Sequence, residues 1–134
     1  MLEPGQVLKL RVEDTTPPKI KYLVIVGCTQ DEITIATVFI NSNVNIYIAY
    51  NAVLQAAHLP ILAAEHSFLR YDSHVDCTQI AKRPYAAIEQ HVNAQPSTIV
   101  GRVTPTLLDE ILTALRHSTL IKGKDKKKLG LYDR

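Results

Sequence analysis

Leu8, Leu10 and Val12 alternate with Lys9 and Arg11 between Gln6 and Glu13. Successive side chains of a strand point to opposite faces, so this spacing predicts a strand with one buried face. Asp14-Thr15-Thr16-Pro17-Pro18 predicts a loop, because consecutive prolines donate nothing to a ladder. Lys19 to Gly27 predicts a second strand, nearly all apolar from Tyr22 to Val26 and so covered on both faces. Cys28-Thr29-Gln30-Asp31 connects it to a third strand, Glu32 to Ile40. Asn41-Ser42-Asn43 ends that strand with short polar side chains that favour turns. Val44 to Ile48 is expected as a short fourth strand.

In the second half, Asn51 caps a predicted short helix ending near His58, with Val53, Leu54 and Ala57 at helical spacing and Pro60 as its stop. His66 to Gln79 reads as a strand or a bent strand pair. Arg83-Pro84 opens a helix to about Asn93, Gln95-Pro96-Ser97 turns, and Thr98 to Val103 is a strand. The strongest local signal is Thr104-Pro105, an N-cap followed by proline at the first helical position. Leu107, Leu108, Ile111, Leu112 and Leu115 then form an amphipathic stripe. The layout is mainly β with helices (α+β), an antiparallel barrel or strongly bent sheet closed by a C-terminal helix. It forms one domain over 1–118, followed by a basic tail over 119–134.

Composition narrows the class. The chain has 134 residues, 46% apolar and 21% charged, enough for a core without metals or disulfides. No stretch approaches the ~18 continuous apolar residues of a membrane span. Met1 to Gly5 lacks the features of a signal peptide, so a cytoplasmic location and no membrane contact are expected. Cys28 and Cys77 belong to no CxxC or CxxH pair, which points to buried thiols and away from zinc. The net charge is +2, but Lys122, Lys124, Lys126, Lys127, Lys128 and Arg134 face only Asp125 and Asp133 after residue 118. The tail therefore reads as a solvated basic run beside a near-neutral domain.

Phosphate-loop, dinucleotide, zincin and hydrolase-elbow motifs are absent from the sequence. Polar residues concentrate between His66 and Cys77. If this segment is extended, one face carries His66, Phe68, Arg70, Asp72, His74 and Asp76. Such a face offers an acid or base, a carboxylate to orient it and a cation for phosphate. Those roles suit phosphodiester cleavage by general acid–base chemistry. A strand with one solvated face shows the same alternation. A metal site on His66, His74 and a carboxylate lacks tight spacing, so no metal or cofactor is expected. Asn41 and Ser42 form a second polar cluster, a binding group or a plain turn. Lys19 and Lys21 flank the entry to the second strand, as phosphate ligands or as exposed strand-end lysines.

Five segments together carry a resemblance. They are Gly5-Gln6-Val7-Leu8, Lys21-Tyr22-Leu23-Val24-Ile25-Val26, Asn41-Ser42, Val75-Asp76-Cys77, and Ile99 to Pro105 with the leucine-rich helix after it. Their order resembles the MazF/PemK family of toxin–antitoxin ribonucleases over most of 5–118, and HSFLRYDSHVDC is similar to a segment in a divergent branch of PemK-like proteins. The resemblance implies an SH3-like antiparallel barrel with a C-terminal helix. It also implies metal-independent, sequence-selective RNA endonuclease activity, RNA as substrate, a small antitoxin partner and a homodimer. In the implied mechanism the substrate's 2′-hydroxyl attacks its own phosphate. Asp76 or His74 serves as base or acid, Arg70 and Lys21 stabilise the phosphorane, and Ser42 binds a phosphate oxygen. Asn41, His66 and Asp72 complete the expected substrate-binding set. Lys21-Tyr22 stands where the family has arginine before proline, and lysine lacks the planar fork that grips phosphate bidentately. Asn41-Ser42 stands where a Thr-Thr or Thr-Ser pair is frequent, and residues 44–65 are longer than in compact members. These departures keep open a catalytically inactive, toxin-like module that binds an antitoxin or nucleic acid.

Overall fold

In a computed structural model describing residues 2–13, 17–42 and 51–132, the first three predicted strands form. They are β1 (Gln6–Val12), β2 (Lys19–Cys28) and β3 (Thr34–Asn41). Lys9 and Arg11 are the exposed positions of β1. The short helix α1 (Ala52–Ala56) follows, with the Asn51 side chain accepting from the Val53 and Leu54 amides. Then come β4 (His58–Ile61), β5 (Ser73–Asp76), β6 (Ala81–Pro84), helix α2 (Tyr85–Ala94) and β7 (Ile99–Arg102). Helix α3 (Pro105–His117) and helix α4 (Gly123–Lys128) end the described chain. The Thr104 hydroxyl accepts from the Leu107 amide at 3.2 Å.

All strand pairs are antiparallel, in the order β4-β5-β3-β2-β1-β7, and β6 adds to β3. The result is an α+β fold on a curled, half-barrel sheet covered on both faces. One face packs Val7, Val24, Val38 and Val75 against Leu108, Ile111, Leu112 and Leu115 of α3. The other packs Leu8, Leu10, Leu23 and Ile35 against Tyr85 and Ile88 of α2. Double coverage explains why apolar residues occupy consecutive positions of β2. Among the described residues no helix is long and apolar enough to cross a membrane.

Expectations for the second half of the chain change. The extended segment over 66–79 shrinks to β5. Residues 62–69 instead turn on themselves, with the Glu65, His66 and Leu69 amides donating to the Leu62, Ala63 and His66 carbonyls. Phe68 anchors this loop over Gly101, where an added Cβ would stand 2.8 Å from the Phe68 ring. The solvated basic tail is also corrected. Leu129 and Leu131 behind α4 are fully buried, and the Lys126 ammonium donates to the Arg116 and Ser118 carbonyls at 2.8 and 2.7 Å. The segment is a strap across the end of α3, in which a lysine satisfies the helix's last carbonyls. The expected strand over Val44 to Ile48 lies outside the described residues.

Candidate functional site

The outer edge of β3 is shared by two short strands. Ile40 and Asn41 pair with Val75 and His74 of β5, while Thr34 to Thr37 pair with Pro84 to Ala81 of β6. The chain crosses between β5 and β6 at 77–80, opening a break in the sheet edge. A cleft of about 470 Å³ lies there, lined by Lys21, Phe39, Asn41 and Asp76 with residues 79–81.

Strand register explains how these side chains meet. Tyr22 pairs with Ile40, which sets Lys21 of β2 beside Asn41 of β3. The Lys21 ammonium donates to the Asn41 Oδ1 and stands 5.5 Å from the Phe39 ring centroid, a cation–π distance. Burial pulls the Lys21 pKa below that of an ordinary lysine; the Lys19 charge adds to this and the Asp76 charge opposes it.

Asp76 ends β5. Its Oδ1 accepts from the Thr78 amide at 2.9 Å and from the Thr78 hydroxyl at 2.5 Å. This local turn fixes the carboxylate where the chain leaves β3. His58, the first residue of β4, stands opposite Asp76 in register. Its Nε2 is 3.5 Å from the same Oδ1, and its Nδ1 donates to the Leu54 carbonyl at 2.6 Å. Cys77 is fully buried beside them. Burial, and secondarily the Asp76 charge, push its thiol up to about 12, so it is inert rather than nucleophilic.

The polar face expected over 66–76 divides into separate places. His74 shares the Asp76 side of β5 by alternation and pairs with Asn41 and Pro60. Its Nδ1 is buried with no hydrogen-bond partner among the described residues. Arg70 is exposed, with its guanidinium 6.0 Å from the Tyr71 ring centroid. It lines a second hollow of about 220 Å³ with Ser42, and Lys21 lines both hollows. His66 is buried elsewhere. Its Nε2 accepts from the Thr104 amide at 3.2 Å and its Nδ1 donates to the Leu62 carbonyl at 2.9 Å. Both nitrogens hold backbone, so His66 fixes the start of α3 and has no free donor for substrate. Asp72 accepts from the Ala63 amide at 2.9 Å and closes its loop.

His58 is the site residue missing from the sequence-based set. No alternation marks it in the sequence: along His58-Leu59-Pro60-Ile61 the two end residues are buried and Pro60 is exposed, which is not a period-two pattern. Among the described residues no three His, Cys, Asp or Glu side chains cluster to hold a metal ion. The chain matches no protein-family model and no curated protein sequence.

Proposed function

We propose that this protein is a PemK/MazF-like endoribonuclease, built on an SH3-like barrel with a C-terminal helix, that cuts RNA selectively without a metal. The observation that carries the reading is the Lys21–Asn41 pair sharing one cleft with Asp76. Thr78 and His58 engage the Asp76 Oδ1, which leaves Oδ2 to accept the 2′-hydroxyl proton as that oxygen attacks phosphorus. The Lys21 ammonium stabilises the charge that grows on the phosphorane. Asn41 presents its amide N–H groups to a phosphate oxygen, since its own oxygen is taken by Lys21. His74, next to Asn41 in register, gives its proton to the leaving 5′-oxygen. Arg70 and Ser42 hold the neighbouring stretch of backbone in the second hollow. A cytoplasmic homodimer paired with a small antitoxin completes this reading, on the strength of the family resemblance.

RNA digestion in EDTA tests it, with Asp76→Asn and Lys21→Met beside the wild type. Discrete cuts ending in cyclic phosphates are expected, slowed about 10²–10⁴-fold in Asp76→Asn. Equal cutting by Asp76→Asn overturns the assignment. The second reading is a binding module without cleavage. It is favoured by the two bonds from Thr78 that hold Asp76 in a local turn, and filter retention of uncut RNA by the wild type is its signature.

A further inference from the structure

We infer that His58 is the positioning residue of this site and shares a proton with Asp76. The role of that pair in RNA cleavage rests on the ribonuclease reading; the pair itself does not. The argument begins at Nδ1. A carbonyl oxygen can only accept, so the 2.6 Å contact with Leu54 puts a proton on the His58 Nδ1. The tautomer is thereby fixed, and Nε2 is the nitrogen left to face Asp76. In a neutral ring with that tautomer Nε2 is a bare lone pair. Facing a carboxylate oxygen at 3.5 Å, it is attractive only when the pair holds one more proton, as imidazolium with carboxylate or as imidazole with carboxylic acid.

The surroundings favour sharing. The side chains of His58 and Asp76 are 3% and 12% exposed, so water does little to screen the contact. Among the described residues the other titratable groups near the pair are few. Lys21 acts on Asp76 from β2, His74 lies two residues along β5, and Cys77 is held neutral. Lys21 favours the carboxylate, which in turn favours the proton on His58. The Cys77 amide donates to the Ala57 carbonyl at 2.8 Å, tying β5 to the end of α1, whose Leu54 carbonyl aims the ring. When Asp76 takes a proton from the ribose, His58 keeps its carboxylate plane fixed.

Nitrogen-15 NMR of histidine-labelled wild type and Asp76→Asn, between pH 5 and 7.5, tests the pair directly. His58 is expected to show a protonated Nδ1 in both proteins. Its Nε2 protonation equilibrium is expected to fall about tenfold or more in Asp76→Asn. Equal Nε2 protonation in the two proteins overturns the inference. Cleavage supplies the second arm. His58→Leu is expected to cut about 10²-fold more slowly, because a loosened carboxylate misses its geometry, while binding of RNA with a 2′-deoxy cut site stays unchanged. His58→Gln, which keeps a donor for Asp76, is expected to recover rate. An NMR difference in a protein that cuts no RNA upholds the pair and removes the ribonuclease reading. Cutting by the wild type with no NMR difference does the reverse.

Discussion

Gly27→Ala is expected to unseat the C-terminal strap while leaving the sheet folded. An added Cβ would stand 2.2 Å from the Leu129 carbonyl oxygen, 3.4 Å from its carbon and 3.5 Å from the Leu131 Cδ2. The nearest two atoms are backbone, so no rotamer change relieves the clash. A local shift of the strap costs roughly 1–3 kcal/mol, the usual range for an overpacked core. Full release costs more. Leu129 and Leu131 are 1% and 0% exposed, and each buried leucine contributes about 1.5–3 kcal/mol, so release loses roughly 3–6 kcal/mol. Freed residues also surrender the Lys126 bonds to Arg116 and Ser118 and the Arg116 bond to the Leu131 carbonyl at 2.5 Å. Urea unfolding reads the stability loss, and limited trypsin digestion at Lys124, Lys127 and Lys128 reads the release. Gly123→Ala is the control, because nothing lies within 4 Å of its added Cβ. A Gly27→Ala protein with wild-type urea midpoint and unchanged tryptic cleavage would refute the packing argument.

Other consequences are equally direct. His66→Ala is expected to lose about 1–3 kcal/mol by stranding the Thr104 amide and Leu62 carbonyl, with RNA binding intact once refolded; weaker binding by a folded variant would put His66 back in the site. Lys21 has a lowered pKa in the folded chain, so its contribution to stability is fully present above the ordinary 10.5 and lost as pH falls through the lower folded value. Charged at neutral pH, it therefore opposes folding. Lys21→Met is expected to be at least as stable as wild type at pH 7 in urea melts, yet to bind RNA more weakly, and a clear loss of stability there would contradict the burial argument. Iodoacetamide is expected to label half-buried Cys28 in the native protein and to reach Cys77 only after unfolding. Mass mapping of the native adduct at Cys77 would show that its burial is wrong.

Patterns that are local in the chain were legible in its sequence. The alternation of β1, the turn before β3 and the Thr104-Pro105 cap act within a few residues, and the five apolar residues read on α3 are all buried. Elements that depend on distant partners were not. Among the described residues β4 is an edge strand, where Pro60 costs no ladder bond, so the proline that read as a helix stop hides a strand. β6 ends in Pro84 for the same reason. The three lysines of α4 read as solvated because the carbonyls that take Lys126 lie at the end of another helix. His66 to Asp72 alternates in sequence, but Gly101 and Thr104 hold it as a loop from over thirty residues away. Lys21, Asn41 and Asp76 were each visible as polar residues at strand ends. Only the β2–β3–β5 register brings them to one cleft, and only β4 brings His58 behind it.

The most direct measurement is single-stranded RNA incubated in EDTA with the wild type and with Asp76→Asn, followed by mapping of product ends. The account predicts discrete cuts with 2′,3′-cyclic phosphate ends from the wild type and their near-complete loss in a folded Asp76→Asn protein. Intact RNA after incubation with folded wild type, or the same cuts from Asp76→Asn, would contradict it.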